Sequence, residues 1–246
     1  MKFKRISTLV ITSILSFNSI ANSETFALSS LVTNQNSSIL ESSDVDTSSI
    51  SRQELIQWFK DNGLNQETIS SLMKKLDNNE PLDSVNPTMQ SRGIVTYSNE
   101  NETKIVYPDG SIAITGIEGG EIIDVTQSRA AITGGTVSSG SGYFTRKGVK
   151  VYHNSGILNM SFYATYTNVQ GGYDKIDSVY DKKCTSYLGT WSYVSFGRQK
   201  IFEDANGPAR ARFEIIYNAS IGASSSSGNY YLDLRVGKDT ATAVFK

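Results

Sequence analysis

The chain has a single histidine, His153, and a single cysteine, Cys184. That small stock bounds its chemistry. One histidine leaves no HExxH zinc motif and no histidine-rich metal cluster. No G-x-S-x-G elbow presents a serine to it. Cys184 and His153 have the residue types of a thiolate nucleophile and its base, and Arg198 follows in a permissible order. The surrounding KKCTSY has none of the context of sortase or L,D-transpeptidase sites. Lys182 and Lys183 would lower the thiol pKa only if Cys184 were exposed. A half-buried strand cysteine and a structural histidine at a strand end are the plainer readings. A lone cysteine also excludes an intramolecular disulfide and leaves an intermolecular one open.

Carboxylates are more plentiful. In GGYDKIDSVYD, Asp177 and Asp181 share a face of a regular strand and Asp174 does not. A carboxylate-dependent hydrolase would need Asp177, Asp181, Glu203 or Glu214 grouped in one cleft. Glu203, Asp204 and Asn206 in FEDANGP offer loop oxygens to Ca²⁺, but without EF-hand spacing they read as an acidic turn. GGTVSSGSG has no Lys-Ser/Thr ending and is no phosphate cradle. No metal and no cofactor is implied.

The aromatic residues are more informative. The sequence holds 13 Tyr, 10 Phe and 2 Trp, and most fall after residue 142. Tyrosine joins a ring to a polar tip, which suits a ligand-binding face as well as a core. Tyr187, Trp191 and Tyr193 share one face if their strand is regular, and they form the candidate binding cluster.

These residues need elements to position them. Residues 1–23 read as a secretory signal peptide: Lys2, Lys4 and Arg5 precede an apolar run from Ile6 to Ala21, with small residues at Ala21 and Ser23. Its removal takes the formal charge from −1 to −4. That balance gives no footprint for nucleic acid. No further run is long and apolar enough for a transmembrane segment in the mature chain. Residues 24–50 are rich in Ser, Asn and Thr and read as a disordered spacer. Within 51–79, Ser51 and Glu54 make a capping box. Leu55, Trp58 and Phe59 form an apolar stripe that Gly63 ends. Ile69, Leu72, Met73 and Leu76 give a second helix over about 66–77. Residues 80–92 read as a linker.

From Gly93 the period changes to two. Residues 93–133 read as a β-hairpin unit turning at Pro108-Asp109-Gly110, with a break at Gly119-Gly120. Residues 134–246 read as an antiparallel β-sandwich-like domain. In ARARFEIIY, Ala211, Phe213, Ile215 and Tyr217 share a face, and in YYLDLRV so do Tyr230, Leu232, Leu234 and Val236. The expected fold is therefore mainly β, with a short α-helical hairpin and a β-hairpin unit before the sandwich.

The segments LMKKLDNNEPLDSVNP, IVYPDGSIAIT and KIDSVYD…ARARFEIIYNA…YYLDLRV resemble secreted proteins of unknown function from Gram-positive bacteria over about 180 residues. The resemblance implies secretion and a β-sandwich-like fold, and it implies no site residues. Secretion plus abundant Tyr and Trp, without a catalytic constellation, leads to a non-catalytic extracellular binding protein for cell-wall glycan or a surface protein. Two alternatives stay open. One is a membrane-active toxin or bacteriocin-like protein using AITGGTVSSGSGYFT and ASIGASSSSGNYY as insertion hairpins. The other is the small carboxylate-dependent hydrolase.

Overall fold

The computed structural model describes residues 49–124, 142–221 and 224–246. The segment read as a signal peptide, nearly all of the segment read as a spacer, residues 125–141 with nearly all of GGTVSSGSG, and residues 222–223 lie outside the described residues. The chain divides into two units, Met1–Ser42 and Ser43–Lys246, and every described residue belongs to the second.

Helix α1, Arg52–Asp61, starts where its cap dictates. The Glu54 amide donates to Ser51 Oγ at 3.2 Å, and the Ser51 amide donates to the Glu54 carboxylate at 2.7 Å. Gly63 follows at φ +83°, a left-handed conformation that glycine adopts without strain. Helix α2, Gln66–Asp77, is capped by Asn65 and buries Ile69, Leu72, Met73 and Leu76. Those are the positions its helical period assigns to one face.

Residues 80–92 do not form a linker. Two short 3₁₀ turns, Asp83–Val85 and Pro87–Arg92, carry Leu82 and Val85 into the core. The reason is a polar anchor. Lys75 Nζ lies 2.9 Å from both Asp83 and Asp109, and the amides of Asp83 and Ser84 donate to the Asp109 carboxylate and Ser111 Oγ. Burial works to raise the Asp109 pKa, but Lys75, Ser111 and the backbone donors outweigh it and hold the carboxyl below its ordinary value.

Ten strands follow: β1 Ile94–Ser98, β2 Glu102–Val106, β3 Ile112–Asp124, β4 Tyr143–Asn154, β5 Leu158–Val169, β6 Lys175–Ser186, β7 Thr190–Lys200, β8 Ala209–Ile221, β9 Ser224–Gly237 and β10 Thr240–Phe245. They form two antiparallel meanders, β1-β2-β3-β4-β5-β6 and β10-β9-β8-β7. The turn at Pro108-Asp109-Gly110 forms as expected, with Gly110 at φ +85°. Gly119 and Gly120 do not end a strand, since β3 continues to Asp124 in register with β4. The strands β1, β2 and β3 therefore share one sheet with β4, β5 and β6.

The inner faces supply the core. Val149 and Val151 on β4, Met160 and Phe162 on β5, Phe213 and Ile215 on β8, and Leu232 and Leu234 on β9 are all buried. Burying each such side chain stabilises the fold by about 1.5–3 kcal/mol. The β8 and β9 residues are those that alternation assigned to one side.

The helices cap one end of this sandwich, where the β2–β3, β4–β5 and β6–β7 turns lie. Thr68 sits against Gly110, Leu55 and Trp58 sit against Gly156, and the Tyr230 hydroxyl donates to the Val85 carbonyl at 2.7 Å. At Gly156 two side chains make the approach. A Cβ there would lie 2.7 Å from Trp58 and 2.8 Å from Leu55, and Gly156 already has φ +77°. Gly156→Ala should lower the unfolding free energy by about 1–3 kcal/mol, combining left-handed strain with displacement of α1. Urea denaturation measures this, and a midpoint shift accompanied by unchanged β-type circular dichroism is the expected result.

Candidate functional site

Of the three aromatic residues singled out by sequence, the structure brings two together. Tyr187 is not on a strand; it lies in the β6–β7 turn, Tyr187-Leu188-Gly189. Trp191 is on β7, opposite Tyr217 of β8. Both rings pack against the core on one side. The two residues line a depression of about 370 Å³ together with Ser49, Ser186, Leu188, Gly189 and Thr190. Tyr193 does not join them. It lies farther along β7, is 49% exposed, and has Lys182 Nζ 5.2 Å from its ring centroid. Regular register keeps Tyr193 on the same side of β7 as Trp191, opposite Ile215 and Tyr217, and the strand bulges only beyond Tyr193.

The two rings that do meet are held firmly. The turn is fixed by the Tyr187 amide donating to the Ile157 carbonyl at 2.8 Å, and by the Tyr217 hydroxyl donating to the Leu188 carbonyl. Arg52 of α1 makes a bidentate pair with Asp77 of α2 at 2.6 and 3.0 Å, and with the nearby Tyr187 this holds the guanidinium pKa above its ordinary value. An exposed pair of this kind contributes little to stability. Its effect is positional, tying both helices to the aromatic turn. Ser49 completes the wall, and the next residue, Ile50, donates its amide to the Ser186 carbonyl at 3.2 Å.

A second depression of about 300 Å³ adjoins the first at Ser49. Its wall includes Trp58, so both tryptophans of the chain line neighbouring cavities. The sequence reading assigned Trp58 to the buried stripe of α1. Leu55 and Phe59 are fully buried, whereas Trp58 is only partly so and sits at the margin of that stripe. A tryptophan at the edge of an apolar stripe, rather than its centre, was the available signal.

His153 and Cys184 do not form a catalytic pair. Strand register places Thr115, His153, Met160 and Cys184 in one cross-strand row. Two strand spacings put His153 and Cys184 roughly 10 Å apart. Cys184 is fully buried, which pushes its thiol pKa well above the ordinary range despite the neighbouring lysines. His153 is 2% exposed, stacks on Phe245 with ring centroids 3.4 Å apart, and shares a 2.9 Å hydrogen bond with Thr115 through Nδ1. Arg198 is held elsewhere, donating to the Ile176 and Asp177 carbonyls.

The carboxylates are dispersed. Asp177 accepts from Thr167 at 2.7 Å and pairs with Lys175. Asp181 is exposed at φ +49°, and Glu214 accepts from Ser195 at 3.3 Å. Asp177 and Glu203 line different cavities. The pair that does meet, Asp174 and Glu203, escaped the sequence reading. Asp174 is fully buried at the end opposite the helices and accepts from the amides of Val169 and Asp239, each at 2.8 Å. Glu203 accepts from the amides of Asp174 and Lys238. These backbone donors tie three turns together. Burial raises the Asp174 pKa, and the charges of Glu203 and Asp239 add to the rise. Asp204 accepts from Lys200 and the Asn206 amide, as an acidic turn does.

Among the described residues, no group of three or more His, Cys, Asp or Glu side chains is placed to hold a metal ion, and no helix is long and apolar enough to cross a membrane. No family model and no curated protein matches the chain. Among solved structures, a hypothetical protein, lmo2686 from Listeria monocytogenes EGD-e, shares 26% identity, with 59% of this chain and 92% of that chain covered. Its TM-score is 0.29, and a likeness at that level carries no argument about this chain's site.

His153 makes the protein's pH dependence testable. Burial pushes its pKa from 6.5 down to about 3. The unfolded chain takes up a proton that the folded chain refuses, so stability is full above pH 6.5 and falls as pH drops toward 3. Unfolding free energy should decline below pH 6 by up to about 1.4 kcal/mol per unit from this group. His153→Gln should flatten that slope in urea titrations between pH 7 and 4.

Proposed function

We propose that this chain is an extracellular, non-catalytic binding protein and that its ligand is a cell-wall glycan held at the Tyr187–Trp191 depression. Export is the expectation from residues 1–23. The observation that carries the glycan reading is the construction of the depression. Two aromatic rings, each backed by core, line it beside the serine and threonine residues Ser49, Ser186 and Thr190. A sugar ring presents an apolar face of C–H groups and a rim of hydroxyls. Rigid aromatic surface bordered by hydroxyl-bearing residues matches both.

The burial of His153 and Cys184 and the scatter of Asp177, Asp181, Glu203 and Glu214 favour binding over the hydrolase alternative. The surface-protein alternative has no comparable support. A groove of this size fits one or two sugar rings, whereas a stable protein interface needs about 800 Å² from each partner.

The test is retention of the purified mature chain on isolated Gram-positive cell wall stripped of protein. Wild type should be retained, and Trp191→Ala should weaken retention at least tenfold, the loss of roughly one stacking contact. Tyr193→Ala should leave it unchanged. Absence of wild-type retention, with soluble glycans also failing to bind, would overturn the reading.

A further inference from the structure

We infer that β1 is a self-docking edge, on which two copies of this chain pair β1 to β1, antiparallel about Thr96, to form a reversible dimer. The inference is independent of the glycan reading.

A strand at the edge of a sheet offers a row of amides and carbonyls that another strand can complete. Strand β1 is the outer strand of the six-stranded sheet, and among the described residues its only strand partner is β2. All five of its residues are exposed. Ile94 is 69% exposed, Val95 55% and Tyr97 49%, so apolar surface lies beside open backbone. Native edges are blunted by charge, proline or cover. The edge strands β6 and β7 carry charge at Asp181, Lys182 and Lys183 and at Arg198 and Lys200, and four of the six residues of β10 are half-buried. From Gly93 through Asn99 there is neither charge nor proline. One blunting device is present, a bulge where the register with β2 shifts between Val95 and Tyr97. Pairing about Thr96 sets the two bulges opposite each other, so symmetry matches their bends.

The flanking charges choose the occupant. Arg92 stands four residues before Thr96 and Glu100 four residues after it. Both are exposed. Among the described residues, Arg92 donates only to Met89 Sδ, at 3.8 Å, and Glu100 has neither a hydrogen bond nor an ion pair. A two-fold axis at Thr96 sets Val95 against Tyr97, Ile94 against Ser98, and Arg92 against Glu100 of the other copy. Directly opposite Cβ atoms lie about 4.5–5.5 Å apart, and long side chains also reach diagonal neighbours. The cross-copy ion pair therefore forms twice. Parallel pairing in register would set Arg92 against Arg92 and Glu100 against Glu100, so like-charge repulsion selects the antiparallel arrangement. The segment is its own complement: an uncharged centre with a base at one end and an acid at the other.

The contact is small. It takes about seven residues from each copy, against roughly 20–30 in a standard interface, and a dimer of this kind is reversible. An isologous contact of this kind closes at two copies and builds no fibre. The dimer carries two Tyr187–Trp191 depressions, and a repeating ligand that engages both gains avidity.

Sedimentation equilibrium on the full mature chain tests the inference. Wild type should move from monomer toward dimer mass between about 1 µM and 1 mM, the range expected of a small interface. Arg92→Glu alone and Glu100→Arg alone each turn two attractive pairs into two repulsive ones, and each should weaken dimerisation about tenfold. The double variant carrying both reversals should recover wild-type affinity within about threefold. Val95→Lys, which adds charge to the edge, should leave the protein monomeric with unchanged β-type circular dichroism. A wild type that stays monomeric at 1 mM, or that assembles beyond a dimer, overturns the inference. So does a dimer indifferent to the single reversals, or one that the double reversal fails to restore. The wild-type mass decides the matter even if a variant fails to fold. Cell-wall retention is scored separately, so either reading can fail without the other.

Discussion

The approach of α1 to the β4–β5 turn governs the whole upper end of the molecule. Leu55 and Trp58 occupy space that any side chain on residue 156 would need. That single contact sets the height of the helix above the sheet. From it follow the reach of Arg52 to Tyr187, the position of Ile50 against Ser186, and the wall that Trp58 gives to its cavity. The capping box at Ser51 fixes where the helix begins, and so which residues face the turn. Local sequence rules and a tertiary contact thus act on the same few residues.

The two ends of the sandwich are closed by different physics. At the helical end, apolar side chains bury against turns and the polar anchor of Lys75, Asp83 and Asp109 locks the 3₁₀ segment in place. At the opposite end, no helix among the described residues covers the turns. There Asp174 and Glu203 accept backbone amides from residues distant in sequence, converting three loops into one connected unit. Carboxylates buried this way cost desolvation and are offset by several charge-assisted hydrogen bonds. Both ends carry cavities, and those at the helical end include the tryptophans in their lining. The opposite end spends its polar groups on the backbone.

Much of the fold was legible in the residues because its signals are local. The cap at Ser51, the four-residue apolar face of α2, the turn at Pro108-Asp109-Gly110 and the alternation on β8 and β9 each lie within about a dozen residues. What was not legible depends on long-range pairing. The stretch from Lys175 to Phe202 reads as continuous strand, yet it divides at Tyr187-Leu188-Gly189 into strands of different sheets. Residues 80–92 look like a linker by composition, because the partners that bury them, Asp109 and Ser111, are donated by a later turn. Asp174 and Glu203 are 29 positions apart and meet only when two turns are stacked at one end.

The candidate site was legible by half, for the same reason. Tyr187 and Trp191 were found from residue type, but alternation, which does put Tyr193 on the same side of β7 as Trp191, could not show that Tyr193 lies outside the depression, and it could not supply Trp58 from another element. Ring orientation decides which aromatic residues matter. Tyr187 and Trp191 are backed by core and held in place, whereas Tyr193 is half exposed at the open edge. A surface that recognises sugar rings needs the former kind, since immobilising a free side chain on binding costs affinity.

The central claim is that the Tyr187–Trp191 depression receives a glycan. With only two tryptophans in the chain, the indole N–H region of a ¹H–¹⁵N spectrum reports on Trp191 separately from Trp58. Titration with soluble cell-wall glycan fragments should shift the Trp191 signal saturably. A Trp191 signal that stays in place at saturating fragment would contradict it.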